Sequence, residues 1–292
     1  MNRRIPPISA NYFGLPFIGE RAFEVDNVAS LKTANDTSVI FYSGDDINFL
    51  EEIQTGIVII DTCLKDKLKT HKSQTIVFSP KPKLTFLKLL EDFFENSFEG
   101  KFQKRADFVD CKISGDAYIE PKVKLGKGCE IFPQVSLFNE VTIGEKCKIL
   151  PGTVIGVSGL GDLWYRGEYH KFVHLGEVSI GSNVNIGANV SIMKGMLEDT
   201  IIGEGTRIAN NVNIGHSVQI GKNCYISSGV TIGGACIIED NSWLAVGSTL
   251  TDHVRIGKNT MVGTGAVIIK DALPNSLYLG NPARKVGERD FK

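Results

Sequence analysis

Residues 201–232 read IIGEGTRIANNVNIGHSVQIGKNCYISSGVTI, in which isoleucine returns at every sixth position. A period of six fits neither one face of an α-helix nor the simple alternation of a strand. It fits a coil with three short flat sides, each of which turns one aliphatic side chain inward. Stacked coils of this kind pair as parallel strands about 4.8 Å apart. The stretch therefore predicts a three-sided solenoid.

The same period continues on both sides of this stretch. Three runs, Ile113–Ile155, Ile180–Ile192 and Ile202–Ile268, together hold 23 six-residue units. At three units per coil, they predict roughly seven and a half coils and a prism about 36 Å long. A small or β-branched residue usually follows each aliphatic residue four positions later, where it would fit a tight corner.

Four of the six cysteines occupy that corner position, namely Cys129, Cys147, Cys224 and Cys236. The slot predicts that they are small buried apolar residues rather than nucleophiles or metal ligands. The chain contains no CxxC motif, and its first residues, MNRRIPPISANYFGLPF, contain no apolar stretch long enough for a signal peptide. We therefore expect reduced thiols in a cytoplasmic protein.

Two interruptions of the repeat predict loops. The segments before and after the repeat predict a separate first domain and a short tail. Loop 156–179 is the longer one, and the second, near Met193–Thr200, adds four residues. Residues 1–106 lack the repeat. Within them, the stretches 38–42, 56–60 and 74–78 are typical of strands and 84–94 of an amphipathic helix. The predicted fold is mainly β: a small α/β domain (1–106), a β-helix (107–270) and a short tail (271–292) that leaves the coil quickly.

Composition excludes some functions. The 292 residues carry 32 Lys and Arg against 33 Asp and Glu, a net charge of −1. This near-neutral balance offers no basic field for nucleic acid. No window holds about 18 consecutive apolar residues, so the sequence predicts no membrane span.

Three stretches carry a resemblance to a known family. They are ASLKTANDTSVIFYSG (29–44), LTFLKLLEDFF (84–94) and VSIGSNVNIGANVSIMKGMLEDTIIGEGTRIANNVNIGHSVQIG (178–221). The chain resembles the UDP-3-O-acylglucosamine N-acyltransferases of lipid A synthesis and related nucleotide-amino-sugar N-acyltransferases. The resemblance implies a left-handed parallel β-helix, a homotrimer with active sites between adjacent prisms, and transfer of an acyl group from a thioester to a sugar amine.

Acyl transfer to an amine needs a base and hydrogen-bond donors for the tetrahedral oxyanion. His216, in Ile214-Gly215-His216-Ser217, matches the family's catalytic histidine, and imidazole titrates near neutral pH. Gly234 follows one coil of 18 residues later. A glycine there leaves room for a thioester carbonyl, and its N–H is predicted to donate to the oxyanion, as at the matching family position.

Further residues are predicted to bind the two substrates. His253 lies two coils plus one residue beyond His216, about 10 Å along the axis, and we expect it to line the donor channel. Lys270, three coils beyond His216, is a further donor residue by the resemblance. Arg284 and Lys285 follow Gly280-Asn281-Pro282-Ala283, an ending similar to that of CoA-dependent hexapeptide acetyltransferases, and are predicted to meet the phosphates of CoA.

The acceptor is assigned to residues of the first domain, the long loop and the coil before His216. Those predicted to bind it are Phe41, Trp164, Tyr165, Asn210 and Asn211. His170 and His174, also in the long loop, are expected to be structural or to face substrate at the surface.

The chain also departs from the family pattern. Gly44 and Ile47 stand where the family carries an Asn and a Tyr that grip uracil, and Ala209 replaces an Asp seven residues before His216. The family's helical C-terminal extension, which engages acyl carrier protein, is not found before Lys292.

These departures favour an N-acyltransferase that uses acyl-CoA and a dTDP- or UDP-linked amino sugar, for surface polysaccharide or lipopolysaccharide synthesis, with no permanently bound cofactor. The alternative is the lipid A enzyme itself, with acyl carrier protein as donor. A zinc hydratase on the same fold is a remote alternative, because Lys258 stands where a third imidazole would be needed. A non-catalytic scaffold is the last possibility.

Overall fold

The computed structural model describes residues 4–19, 24–45, 55–68, 74–94, 108 and 110–289. The chain divides into two compact units: Met1–Ser97 with Leu160–Val173, and Phe98–Gly159 with His174–Lys292. Ile47 and the predicted domain boundary at 106/107 lie outside the described residues. Among the described residues, no helix has the length and apolar character that a bilayer span requires.

A six-stranded sheet forms the centre of the first unit. Its strands are β1 (Arg4–Ser9), β2 (Phe17–Ile18), β3 (Glu24–Val28), β4 (Ser38–Phe41), β5 (Ile57–Asp61) and β6 (Thr75–Ser79), in the order β1-β3-β4-β5-β6-β2. The inner strands β3 to β6 are parallel, and β1 and β2 are antiparallel edges. Predictions of the three apolar strands are confirmed. The sequence analysis missed β1 to β3, because β1 carries two prolines, β2 is very short and β3 is half polar.

The α-helix α1 (Pro82–Phe93) packs on this sheet. It begins two residues before the predicted start, because proline at the first turn has a suitable fixed φ and needs no N–H partner. Both faces of β4 to β6 are buried, which explains why these strands are continuous apolar runs. Short 3-10 helices span Ala10–Phe13 and Thr62–Lys67.

The second unit is a prism of stacked coils with three faces. Face 1 contains the strands Lys112–Ile113, Glu130–Ile131, Lys148–Ile149, Asn185–Ile186, Arg207–Ile208, Tyr225–Ile226, Trp243–Leu244 and Met261–Val262. Face 2 contains Tyr118–Ile119, Ser136–Leu137, Val154–Val157, Ser191–Met193, Asn213–Ile214, Thr231–Ile232, Thr249–Leu250 and Val267–Ile268. Face 3 contains Lys124–Leu125, Val141–Ile143, Val178–Ile180, Thr200–Ile202, Gln219–Ile220, Ile237–Ile238 and Arg255–Ile256. Each predicted six-residue unit therefore supplies one strand.

Pairing within each face is parallel and in register. Ile214 pairs with Ile232, which pairs with Leu250, one coil apart each time. The long excursion stretches one coil so that Ile143 pairs with Ile180, and the short one makes Ile180 pair with Ile202. Because the register resumes after both excursions, the aliphatic residues of the repeat stay buried; at the first coil Ile113 and Leu125 are half-buried.

Corners are closed by small side chains and left-handed backbone. Cys129, Cys147, Cys224 and Cys236 are at most 1% exposed, which confirms the corner prediction. The Cys236 thiol donates to the carbonyl of Thr251 in the next coil at 3.0 Å. Many corners hold one residue at positive φ, such as Asn211 (57°). Asparagine tolerates this region better than most residues, so it recurs at the corners.

The segment after the last coil does not leave the prism, which corrects the prediction for the tail. Strand Ser276–Gly280 pairs in parallel with Met261–Val262 and so extends face 1 by one strand. Strand Ala283–Glu288 then folds back on it as an antiparallel hairpin. The proline at 274 did not end the ladder, because it precedes the strand and removes no ladder donor from it.

Candidate active site

His216 lies in the corner that follows the face 2 strand Asn213–Ile214. Hydrogen bonds hold this corner to the short excursion, and the neighbouring Ser217, at φ 58°, makes three of them. Its N–H donates to Thr200 Oγ1 at 2.9 Å, its hydroxyl donates to the Glu198 carbonyl at 3.2 Å, and it accepts from the Met196 N–H at 3.0 Å. The short excursion near Met193–Thr200 therefore fixes the backbone on which His216 stands.

The next coil covers the His216 corner with Gly234 and Ala235. The Ala235 N–H donates to the His216 carbonyl at 2.8 Å, so the coils are in the predicted register. A Cβ built on Gly234 would lie 2.6 Å from His216 Nε2. The space left by the missing side chain is thus filled by the imidazole itself. A larger residue at 234 would displace the His216 ring.

The N–H of Gly234 already has an acceptor. It donates to Asp252 Oδ1 at 2.6 Å, across to the coil that follows. The same kind of bond joins the Lys222 N–H to Asp240 and the Arg255 N–H to Asp271 at other corners. Asp252 therefore links two successive coils at this corner. It also accepts the hydrogen bond of the N–H group that was predicted to donate to the oxyanion.

The donor residues predicted from coil arithmetic lie along this corner. The His253 N–H donates to the Gly234 carbonyl at 2.9 Å, and His253 is exposed at φ 64°. Lys270 follows Ile268, the in-register partner of Leu250, at the offset that His216 has from Ile214. The structure thus places His216, Gly234, His253 and Lys270 at one corner of the prism.

Arg284 and Lys285 lie elsewhere, on the hairpin that extends face 1. The Arg284 guanidinium donates to the Ala283 carbonyl at 2.9 Å, and Lys285 forms an ion pair with Glu288 at 2.6 Å. The His216 corner joins face 2 to face 3. Within one prism, the structure does not bring these two cations to that corner.

The sequence analysis did not place His174 beside His216. His174 is 0% exposed, and its ring lies edge-on to that of His216 with 5.6 Å between centroids and 77° between planes. It was expected to be structural or to face substrate at the surface, and the surface expectation is wrong. The excursion ends at this point, where the chain returns to the prism, so no hexapeptide spacing could have placed it beside His216.

The predicted acceptor residues fall into both units. In the second, Asn210 accepts from the Ala188 N–H at 2.8 Å, and Asn211 takes a left-handed corner conformation. In the first, Trp164 and Tyr165 lie on an antiparallel hairpin, Leu163–Tyr165 with Glu168–His170. Trp164 remains 59% exposed.

Phe41 ends strand β4 and packs against Phe86 of α1, with 5.2 Å between ring centroids. Nearby, the carboxyl ends of β4 and β5 and the start of α1 surround a cavity of about 240 Å³. Ligands commonly bind at this edge of parallel sheets. A side chain at Gly44 would overlap the Tyr42 hydroxyl, so a larger residue there would require the Tyr42 ring to move.

The cavity contains groups of both charges. Lys81 and Lys83 stand at the start of α1, and Asp45 and Asp61 lie across from the helix end along the sheet edge. The Cys63 N–H donates to Asp61 at 2.8 Å and holds the pKa of that carboxyl below its usual value. Asp61 is therefore ionised at neutral pH and serves as a hydrogen-bond acceptor.

Within the part of the chain that the structure describes, no three His, Cys, Asp or Glu residues are grouped so that they could hold a metal ion.

Comparison with known proteins places these features in a family. Residues 199–234 match the bacterial transferase hexapeptide (six repeats), and residues 177–216 match the hexapeptide repeat of succinyl-transferase. A UDP-N-acetylglucosamine acyltransferase from Bacteroides fragilis superposes with a TM-score of 0.52 at 27% identity, over 61% of this chain and 74% of that one. That of Campylobacter jejuni shares the fold, with a TM-score of 0.52 at 20% identity over 62% and 79%. The predicted left-handed β-helix is confirmed.

Relatives by sequence agree with this fold. A UDP-3-O-acylglucosamine N-acyltransferase from Methylorubrum populi is 37% identical over 144 residues, and the match covers 49% of this chain but only 41% of that relative. The protein of the same name from Pseudomonas aeruginosa is 35% identical over 313 aligned positions, which cover 96% of this chain and 86% of the relative. Because that similarity runs through both units, the chain belongs to the UDP-3-O-acylglucosamine N-acyltransferase family.

Proposed function

We propose that the chain transfers an acyl group from a thioester to the amine of a nucleotide-linked amino sugar, with His216 as the general base. One observation carries the proposal: His216 stands half-buried on a braced corner, with its Nδ1 shielded from solvent and its Nε2 beside Gly234. An imidazole with one nitrogen turned inward presents the other to substrate, which is the arrangement that a general base requires.

The acceptor amine attacks the thioester carbonyl, a C–N bond forms, and the C–S bond breaks. His216 Nε2 takes the proton from the attacking amine and returns it to the departing thiolate. General-base catalysis by a positioned side chain increases the rate by about 10²- to 10⁴-fold.

UDP-3-O-acylglucosamine is the first acceptor to test, because it is named in the relatives from Methylorubrum populi and Pseudomonas aeruginosa. This ranks the lipid A substrate above other dTDP- or UDP-linked amino sugars. We propose that the cavity beside α1 holds the nucleotide, with Lys81 near phosphate oxygens and Asp61 accepting a hydrogen bond from ribose or base. A Lys81→Ala variant should then raise the acceptor KM with little change in kcat.

The donor carries its acyl group on a thioester, supplied either by CoA or by acyl carrier protein. We propose acyl-CoA, with His253 and Lys270 along the donor path above His216. We also propose a homotrimer, as the family resemblance implies. Light scattering during size-exclusion chromatography tests it, and the expected mass is three times the chain mass of 31.9 kDa.

The activity is tested with purified chain, a panel of UDP- and dTDP-linked amino sugars, and three donors: acetyl-CoA, 3-hydroxybutyryl-CoA and a 3-hydroxyacyl carrier protein. Free thiol and the mass of the amide product are measured. His216→Ala should lower kcat by about 100-fold or more. Lys222→Ala is the matched control, because Lys222 follows Gly221 as His216 follows Gly215, one corner further on. Lack of turnover with every pair would refute the function, and an unaffected His216→Ala variant would refute the base.

A further inference from the structure

His174 is held as firmly as His216, although it belongs to the end of an irregular excursion. The N–H groups of the two residues that follow it donate to the short excursion: Leu175 to the Met196 carbonyl at 2.6 Å and Gly176 to the Gly195 carbonyl at 3.0 Å. Met196 in turn donates to Ser217, which adjoins His216. The backbones that carry the two imidazoles are therefore joined through one chain of hydrogen bonds.

The buried His174 ring contacts the half-buried His216 ring. His174 is fully buried, and its ring meets that of His216 at 77° with 5.6 Å between centroids. Gly159 lies beside both rings, since a Cβ built there would lie 3.5 Å from His174 Nε2 and 3.6 Å from His216 Cδ2. The same Cβ would lie 2.9 Å from Met193 Sδ, so no space remains for a larger residue. His174 and Gly159 therefore both lie against the inner side of the His216 ring.

The contact between the two rings is edge-on and has a defined angle. An aromatic edge against an aromatic face contributes about 0.5–1.5 kcal/mol and fixes the angle between the rings. A planar ring at 174 therefore limits the orientations that the neighbouring imidazole can take.

We propose that His174 is a positioning residue, which holds the His216 ring with Nδ1 inward and Nε2 toward the acceptor amine. The expected effect on kcat rests on the proposed function. The expected effect on the orientation of the His216 ring rests only on the contact between the two rings. A misplacement of about 1 Å in a reacting group costs about 100-fold in rate. Loss of the His174 ring should accordingly act on kcat rather than on substrate binding.

The kinetic test uses the full chain with His174→Ala and His174→Phe. We expect His174→Ala to lower kcat by about 10- to 100-fold while the KM of each substrate stays within about twofold. His174→Phe keeps a ring at the same angle and should recover most of the lost kcat. Thermal unfolding checks that both variants are folded. A wild-type kcat in His174→Ala, or equal losses in both variants, would overturn the proposal.

A double variant tests whether His174 acts through His216. In the His216→Ala background, His174→Ala should cause no further loss, because the ring to be positioned is gone. A further loss as large as that in the wild-type background would show an independent role and overturn the inference.

A readout without substrate separates this inference from the proposed function. Histidine-labelled protein allows the His216 ring proton resonances to be followed by NMR, and they should shift on His174→Ala because the neighbouring ring current is lost. Lys222→Ala should leave them unchanged. If the wild type turns over no substrate and the resonances still shift, the function fails and the contact stands. If the wild type is active and neither kcat nor the resonances respond, the positioning role fails alone.

Discussion

Gly234→Ala gives the sharpest test of the site, because the structure fixes where the added methyl group would go. It would lie 2.6 Å from His216 Nε2 and 2.7 Å from Cε1. Carbon and nitrogen atoms in van der Waals contact stand about 3.5–4.0 Å apart, so the ring must retreat by about 1 Å. Gly234 is not at positive φ, so alanine introduces no backbone strain there.

Two magnitudes follow from this retreat. Overpacking by one methyl group costs about 1–3 kcal/mol of unfolding free energy, which a urea titration measures. A base displaced by about 1 Å loses about 100-fold in kcat, equivalent to about 2.7 kcal/mol at 1.36 kcal/mol per tenfold change. Thiol release under saturating donor and acceptor measures kcat directly. We expect both losses, with the kinetic loss also visible under conditions where the variant is fully folded.

Gly287→Ala is the control for this experiment. Gly287 lies on a ladder strand, has no positive φ, and a Cβ built there would meet no atom within 4 Å. It should leave both stability and kcat near the wild-type values. If Gly234→Ala kept the wild-type kcat, the position of His216 would not control the rate, and its assignment as the base would fail.

The remaining predictions concern Asp252 and the buried thiols. Asp252→Ala removes the acceptor of the Gly234 N–H; a hydrogen bond to a charged group contributes about 1.5–3 kcal/mol, so urea unfolding should show a loss of about that size. If the freed N–H serves the oxyanion, kcat should rise, by less than the 10²–10³ that a whole donor supplies; a fall beyond tenfold would contradict that role. Burial raises the pKa values of Cys224 and Cys236 to about 11, against about 8.5 in an unfolded chain. The folded state thus holds these protons more tightly, and their contribution to stability is complete below about pH 8.5 and is lost as the pH rises to about 11. Cys224→Val with Cys236→Val should unfold like the wild type at pH 7 and lose less stability between pH 9 and 11; identical pH profiles would show that these thiols do not titrate in that range.

The prism could be predicted from sequence almost strand by strand. Each coil stacks on the coils next to it, so one period records both the local conformation and the tertiary contact. Ile214, Ile232 and Leu250 illustrate this, because their spacing alone gives the register observed. The cysteine corners and the column of His216, Gly234 and His253 followed from the same arithmetic.

The features that could not be predicted from the sequence depend on contacts that do not follow the six-residue repeat. His174 reaches His216 from the end of an excursion whose path depends on hydrogen bonds to another excursion. The role of Asp252 was missed for a different reason. The 18-residue spacing shows which coil contains Asp252. It does not show the direction of the carboxylate, which accepts a hydrogen bond from the Gly234 N–H in the preceding coil. Edge strand β1 was hidden by its prolines, whose effect depends on whether a strand has one neighbour or two.

The hairpin that ends face 1 has a consequence for how molecules of this protein behave in crowded solution. A stack of parallel coils presents an open ladder at its end, and such an edge templates the addition of further strands from other molecules. Strand Ala283–Glu288 runs against the direction of the stack and carries Arg284 and Lys285 outward. A coil of a second molecule would therefore meet a strand of opposite direction and two charged side chains, instead of an edge with which it could pair in parallel. Removal of residues 276–289 should therefore expose the ladder edge of face 1 and increase end-to-end association, which light scattering measures against the full chain.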